Sequence, residues 1–220
     1  MTESPIRVVL VDDHQVLREG LRVLLDEEGD IQVVAEAGSA EEALEQVLAH
    51  DPDIVVMDLG LPDKSGLEAI KEIRAKDYPV RIIVLSMHSG RELVMQALQA
   101  GSDGYVPKSS AHTDLLQAIR TVHQGKRFLH PDAATAVVDE LLERQAEAQM
   151  LESLSERESE VLRLTAMGYT SREVGEQLSL SPKTVDTYRQ RAMEKLDLKH
   201  RSEVIQFALK AGLLDEINHA

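Results

Sequence analysis

The feature that most limits how this chain can fold is a repeated alternation. From residue 6 to about 124, short apolar runs at 6–11, 31–36, 54–58, 81–86 and 103–106 alternate with stretches of helical spacing at 14–28, 40–50, 66–76, 90–100 and 111–124. Runs this short, rich in Val and Ile, read as strands buried on both faces. Five strand–helix pairs in succession predict an α/β fold, a (βα)5 doubly wound parallel sheet with helices on both sides. Helix starts agree with this reading. Ser39/Glu42, Ser65/Glu68 and Ser89/Glu92 each set a hydroxyl three residues ahead of a glutamate, the spacing of a capping box.

The residues at the ends of these runs carry chemistry. Val8–Val11 leads into Asp12 and Asp13, Ile54–Met57 into Asp58, and Ile82–Leu85 into Ser86, while Tyr105 and Lys108 flank the end of the fifth run. The carboxyl ends of strands in such a sheet converge on one crevice, where ligands bind. Three carboxylates gathered there repel one another unless a cation joins them. A donor set read as oxygen only, in a chain with no cysteine, points to a hard ion, Mg²⁺.

Residues 125–136, with Gly125 and Pro131, break the alternation, and 137–150 reads as a charged helical linker. From 154 onward the chain reads as all helix. Ser155/Glu158 and Thr170/Glu173 open two helices, and Ser181 caps a third with Pro182 at its first position. The three-residue connection Ser179-Leu180-Ser181 makes a helix-turn-helix, whose second helix, 182–196, buries Val185, Tyr188, Ala192 and Leu196 on one face. Spacing and caps alone leave open both a plain helical bundle and a module that enters a DNA major groove.

Charge sharpens the division. The net charge is −15, yet residues 151–220 hold ten Lys/Arg against twelve Asp/Glu, leaving fourteen against twenty-seven for 1–150. Between 181 and 201 six basic residues face three acidic ones, a local excess that fits either DNA or an ordinary solvated helix. No apolar run approaches the roughly 20 residues needed to cross a bilayer, and the N-terminus shows no signal segment. No membrane partner and a cytoplasmic location are therefore expected.

Both halves resemble a known family. Val11-Asp12-Asp13-His14, the Asp58-Leu59-Gly60-Leu61-Pro62…Ser65-Gly66 loop, Ser86 and Tyr105-Val106-Pro107-Lys108 resemble the receiver domain of bacterial two-component response regulators. Leu154-Ser155-Glu156-Arg157-Glu158, Ser181-Pro182-Lys183-Thr184-Val185, Lys195-Leu196 and Arg201-Ser202-Glu203 resemble the LuxR-type helix-turn-helix. Together they resemble the NarL/FixJ class, which implies a receiver domain at 1–125, a partly helical linker at 126–152 and a small four-helix DNA-binding domain at 153–220.

The resemblance implies roles. Asp58 would accept a phosphoryl group from a sensor histidine kinase, with Asp12, Asp13, Asp58 and the Gly60 carbonyl around Mg²⁺. Lys108 would pair with a phosphoryl oxygen, Ser86 would donate a hydrogen bond to it, and Tyr105 would turn inward behind Ser86. Gly60 and His88 would flank the acyl phosphate and tune its hydrolysis. In the rear half, Lys183, Thr184, Arg189 and Arg191 would touch the backbone of double-stranded DNA, with Asp186, Thr187 and Gln190 facing base edges. Asp186 departs from the basic residue some relatives carry there. Val204, Ile205, Ala208 and Leu209 would form the apolar face of a dimerisation helix, giving a homodimer when phosphorylated or DNA-bound.

An enzyme is the competing class. A Mg²⁺-dependent phosphatase also uses an aspartate nucleophile after a strand, but it usually wants a second carboxylate two residues later, where this chain has Gly60. A module with a vestigial DNA-binding half is the other alternative, against which the intact caps and the basic helix speak.

Overall fold

The structure, a computed structural model, describes residues 4–88 and 90–214. The chain divides into two compact units, one ending at Asp139 and the other beginning at Glu140.

The first unit contains strands β1 (Ile6–Val11), β2 (Ile31–Ala37), β3 (Ile54–Asp58), β4 (Arg81–Ser86), β5 (Gly104–Pro107) and β6 (Phe128–Leu129). Among them run helices α1 (Gln15–Asp26), α2 (Ala40–His50), α3 (Gly66–Ala75), α4 (Arg91–Ala100) and α5 (Ala111–His123). The strands form one parallel sheet in the order β2-β1-β3-β4-β5-β6.

Alternation along each strand sorts the core into two layers. Val8 and Leu10, Ile54 and Val56, Ile83 and Leu85, and Val106 pack with Leu21 and Leu25 of α1 and Leu115, Ile119 and Val122 of α5. Val9 and Val11, Val55 and Met57, Ile82 and Val84, and Tyr105 pack with Val47 of α2, Ile70 and Ile73 of α3, and Val94 of α4. The order of the sheet brings β1 and β3 side by side, with Val11 opposite Met57, so their next residues emerge together.

Capping chemistry sets the helix starts. Ser65/Glu68 forms the full box, in which the serine oxygen accepts helix N–H groups and the glutamate accepts the serine N–H. Ser39 accepts from Glu42 N at 3.2 Å, but Glu42 accepts from Gly38 N instead of closing the box. Ser89, expected to cap α4, lies outside the described residues; Gly90 stands at the N-cap of α4 and makes no side-chain cap.

Two differences from the sequence expectation concern residues 125–152. Phe128–Leu129 adds a sixth strand, pairing Gly104 with Phe128 and Tyr105 with Leu129. Helix α6 runs Pro131–Glu152, starting on its proline, rather than from 137. Its Ala133 is fully buried in the core layer that holds Tyr105. The segment expected as the start of a linker therefore completes the sheet and seals its edge.

The second unit holds α7 (Glu156–Ala166), α8 (Ser171–Leu178), α9 (Pro182–Lys195) and α10 (Arg201–Lys210). Both predicted boxes, Ser155/Glu158 and Thr170/Glu173, are complete. Ser181 caps α9, accepting from Thr184 N at 3.1 Å. Leu162, Ala166, Ala192, Leu196, Val204 and Ala208 make one cluster, and Val161, Leu164, Val174 and Val185 another. Among the described residues no helix is long and apolar enough to cross a membrane.

Candidate functional site

The residues singled out at strand ends converge. Asp12 follows β1, Asp58 ends β3 and Ser86 ends β4, and all three are buried. Lys108, at the first position of a 3₁₀ turn after β5, sets Nζ 2.7 Å from Asp58 Oδ2 and 2.6 Å from Asp12 Oδ2. All three of those side chains are at most 6% exposed. Burial opposes the charge on Lys108, but its contacts with Asp12 and Asp58 outweigh that and hold the ammonium above its ordinary value.

The lysine contacts differ in kind. Asp58 Oδ2 receives a directed hydrogen bond, and Asp58 Oδ1 accepts from Gly60 N at 3.2 Å. Asp12 Oδ2 is fully shielded and has the ammonium close by, yet no directed hydrogen bond reaches it. An oxygen of that kind can take a cation. Asp12, Asp13, His14 and Asp58 each present a ligand atom, all within 4.8 Å of one another. Three carboxylates, two of them buried, with one ammonium between the buried pair, make an oxygen donor set that fits a hard divalent ion.

The imidazole in that cluster departs from the oxygen-only set expected from sequence. His14 Nδ1 lies 2.6 Å from Asp13 Oδ1 and 3.1 Å from Asp12 Oδ1. The motif Asp12-Asp13-His14 contains the signal, since a residue next to two ligands at a helix start shares their loop. Arg18 also enters unforeseen. It donates to the Asp12 carbonyl and pairs with Glu36 of β2 at 3.3 Å, holding the loop after β1.

The loop after β3 is fixed at two points. Asp63 accepts from Ala40 N and Glu41 N, both at 2.9 Å, which ties it to the start of α2. These bonds hold the Asp63 carboxyl down at about 2. A Cβ on Gly66 would stand 2.0 Å from the Asp58 carbonyl oxygen, so only glycine lets α3 begin against the end of β3.

Ser86 Oγ accepts from His88 N at 3.2 Å. Tyr105 is wholly buried, and its hydroxyl donates to the His88 carbonyl at 2.6 Å. Burial pushes the phenol up, a contact with Ser86 opposing. The ring is thus turned inward, beside the end of β4.

In the second unit Lys183, Asp186, Thr187, Gln190 and Arg191 are exposed on α9, while Val185 and Ala192 are buried. Ser181, Lys183, Thr184, Thr187, Tyr188 and Arg191 line an open groove of about 310 Å³. Arg189 is less free than expected. Its Nη2 lies 2.7 Å from Asp186 Oδ1, and its Nη1 donates to Ser171 Oγ at 3.0 Å. Gln190 donates to Glu194, and Thr187 to the Lys183 carbonyl.

Gly175 shows why the turn is tight. A Cβ there would meet the Leu180 carbonyl oxygen at 2.6 Å, and Leu180 N already donates to Gly175 O. The close packing there is against backbone, the Leu180 carbonyl first and Pro182 N at 3.6 Å.

The expected dimerisation face needs correction. Val204 and Ala208 are fully buried in the unit's own core, against Leu162 and Ala192. Only Ile205 and Leu209 of that set reach the surface, at 36% and 62% exposure.

Comparison with known proteins agrees with this layout. Residues 8–120 match the family described as response regulator receiver domain, and 152–208 the bacterial regulatory proteins of the luxR family. A curated relative, response regulator UvrY of Escherichia coli O6:H1, is 37% identical over 94% of this chain and 95% of its own. The crystal structure of a LuxR-family two-component response regulator from Aurantimonas sp. SI85-9A1 is 43% identical, covers 63% of this chain and 99% of its own, and superposes with a TM-score of 0.60. The RcsB response regulator of Salmonella typhimurium, solved in a study of conformational dynamism for DNA interaction, is 28% identical over 94% of this chain and 99% of its own, with a TM-score of 0.62. The chain belongs to the response regulators that join a receiver domain to a luxR-type helix-turn-helix domain.

Proposed function

We propose that Asp58 accepts a phosphoryl group from a sensor histidine kinase and that its phosphorylation controls dimerisation and sequence-specific DNA binding through α9. The observation that carries the first half is the meeting of Asp12, Asp58 and Lys108 at the ends of β1, β3 and β5, with both carboxylates within 2.7 Å of one ammonium.

Asp58 supplies a carboxylate oxygen to phosphorus as the phosphorus–nitrogen bond of the donor phosphohistidine breaks, and the departing imidazole keeps the electron pair and takes up a proton. Lys108 moves its hydrogen bonds onto a phosphoryl oxygen, and Gly60 N–H steadies the other Asp58 oxygen. Asp12, Asp13, Asp58 and the Gly60 carbonyl would hold Mg²⁺, which when bound would supply positive charge against the phosphoryl oxygens. Ser86 turns its hydroxyl toward the new anion, which disturbs its contact with His88 N and the Tyr105–His88 bond behind it. The protein is a reactant in this step; Gly60, where a phosphatase would place its acid, offers only backbone.

Support for the second half is the exposed basic run on α9 and its open groove. Lys183, Thr184 and Arg191 contact DNA phosphates, and Thr187 and Gln190 face bases. Ile205 and Leu209 form the contact between two copies. The protein acts in the cytoplasm, where kinase and DNA meet.

Incubation of the full chain with labelled acetyl phosphate and Mg²⁺ tests the reading. Label stable in acid and labile in base should appear on the wild type and be absent from Asp58→Asn, and equal labelling of the two ends the assignment.

A further inference from the structure

Helix α6 keeps its acids and its apolar surface on different sides. Between Pro131 and Glu152 it holds six acidic residues and one basic one. At about 100° per residue, Val138, Leu141, Leu142, Gln145, Ala148 and Gln149 share one stripe. Asp139, Glu140, Glu143 and Glu147 all lie more than a quarter-turn from its centre. The stripe faces water: Val138 is 52% exposed, Leu141 and Leu142 are each 59%, and the other three positions are exposed as well. The helix makes its buried contacts elsewhere, through Ala133 and Ala136.

Two features select what fits it. Charge is the first. A basic partner would engage the acids and leave the stripe open, whereas a second copy of this acidic helix can approach only where acids are absent, and the stripe is that place. The amides are the second. The exposed helical glutamines Gln15, Gln96 and Gln190 each donate to a glutamate four residues away. Gln145 has Leu141 and Gln149 at that distance, and neither it nor Gln149 makes a side-chain hydrogen bond among the described residues. An amide both donates and accepts, so it satisfies an identical amide, and a polar residue inside an apolar seam fixes register in this way.

We propose that α6 is part of the dimer contact: the stripe of one copy packs in parallel and in register against the same stripe of a second copy, with Gln145 bonded to its counterpart. An antiparallel pair centred on Gln145 would set Val138 against Glu152. The parallel pair sets Val138 and Leu141 each against its own kind, and leaves the two Glu152 carboxylates at the exposed helix end. Six positions are fewer than the roughly 20–30 residues a side of a stable interface, so the seam adds to another contact rather than holding two copies alone. The inference rests on the phosphorylation-controlled dimer proposed above and names a surface for it beyond Ile205 and Leu209.

The chain has no cysteine, so single replacements report on geometry directly. Gln145→Cys lies on the stripe and Glu143→Cys off it. The full chain is incubated with acetyl phosphate and Mg²⁺ and then mildly oxidised. Gln145→Cys should form at least about tenfold more disulfide-linked dimer than Glu143→Cys, since the two Cα atoms must come within about 7 Å. Leu141→Ser should weaken self-association of the phosphorylated chain in sedimentation by about tenfold and leave labelling by acetyl phosphate unchanged. Equal cross-linking at the two positions, or wild-type self-association in Leu141→Ser, overturns the proposal. So does a monomeric Gln145→Cys chain shielded from alkylation, which would mean that the chain covers its own stripe. If the phosphorylated wild type still dimerises in those cases, the reading of phosphorylation-controlled dimerisation stands. A phosphorylated wild type that stays monomeric sinks both.

Discussion

Lys108 reaches back fifty positions in the chain to place its Nζ 2.7 Å from Asp58 Oδ2. The same nitrogen is the one cation beside Asp12 Oδ2 among the described residues, at 2.6 Å. Lys108→Met leaves two buried carboxylates facing each other, and removing one member of a buried ion pair costs about 3 kcal/mol or more. Chemical denaturation of the full chain should show that loss, and Mg²⁺ should restore part of it. Because the contacts hold the Lys108 ammonium above its ordinary value, its contribution is complete below about pH 10.5 and fades as pH rises through the elevated value.

Gly66→Ala forces a methyl to 2.0 Å from the Asp58 carbonyl oxygen, a backbone atom that cannot step aside. The start of α3 or the end of β3 must shift, at a cost of about 3 kcal/mol or more. Thermal unfolding should show the loss. Labelling by acetyl phosphate, measured at a temperature where the variant is folded, should also slow, since the moved atom belongs to Asp58.

Glu158 closes the capping box of α7 and lies 2.7 Å from Lys195 Nζ, and the lysine together with the Ser155 N–H brings its carboxyl down to about 2. A carboxylate lowered on folding stabilises above its unfolded value of about 4.5, and that stability drains away as pH falls from there toward 2. Protection of the amides of residues 156–210 against hydrogen exchange, relative to the intrinsic rate at each pH, should therefore fall between those values in the wild type. Glu158→Gln should be weaker by about 1–2 kcal/mol at neutral pH and show a flatter acid profile.

Val204 and Leu209 separate core from contact. Val204→Ala opens a hole against Leu162 and Ala192 and should cost about 2 kcal/mol in denaturant unfolding. Leu209→Ser, on a residue 62% exposed, should leave unfolding unchanged and weaken self-association of the phosphorylated chain in sedimentation. The reverse pattern would refute the assignment.

Asp186 holds Arg189 at 2.7 Å. Asp186→Asn removes a charge that repels phosphate and releases a guanidinium to contact it. Non-specific DNA affinity should rise, and the slope of its logarithm against salt should steepen by about one counterion. No change in slope would mean Arg189 stays away from the phosphates.

Much of the first unit can be read from sequence because its strands are buried on both faces. An apolar run stopped by Asp12, Asp58 or Ser86 marks both a strand and the place where its end emerges. Phe128–Leu129 escapes such a reading because two residues carry no period, and their strand character comes only from Gly104 and Tyr105 alongside. The adjacency of His14 to Asp12 and Asp13 is visible in sequence, but its contacts with them arise from the turn of the backbone between strand and helix. On α10 the apolar residues form two neighbouring rows, 204/208 and 205/209, about a hundred degrees apart. Periodicity finds both rows and cannot say which one α7 and α9 cover. The Asp186–Arg189 pair is legible in principle, since residues three apart on a helix are neighbours.

The hydrogen atom of Gly175 has a consequence for how such proteins diverge. Because α8 meets the Leu180 carbonyl through bare main chain, and Arg189 and Asp186 hold Ser171 of α8, the angle at which α9 leaves the turn rests on those contacts and not on the side chains at 183, 187, 190 and 191. Its mounting and its lettering are separate, so substitutions at 183, 187, 190 and 191 can rewrite what that helix reads without rebuilding what carries it.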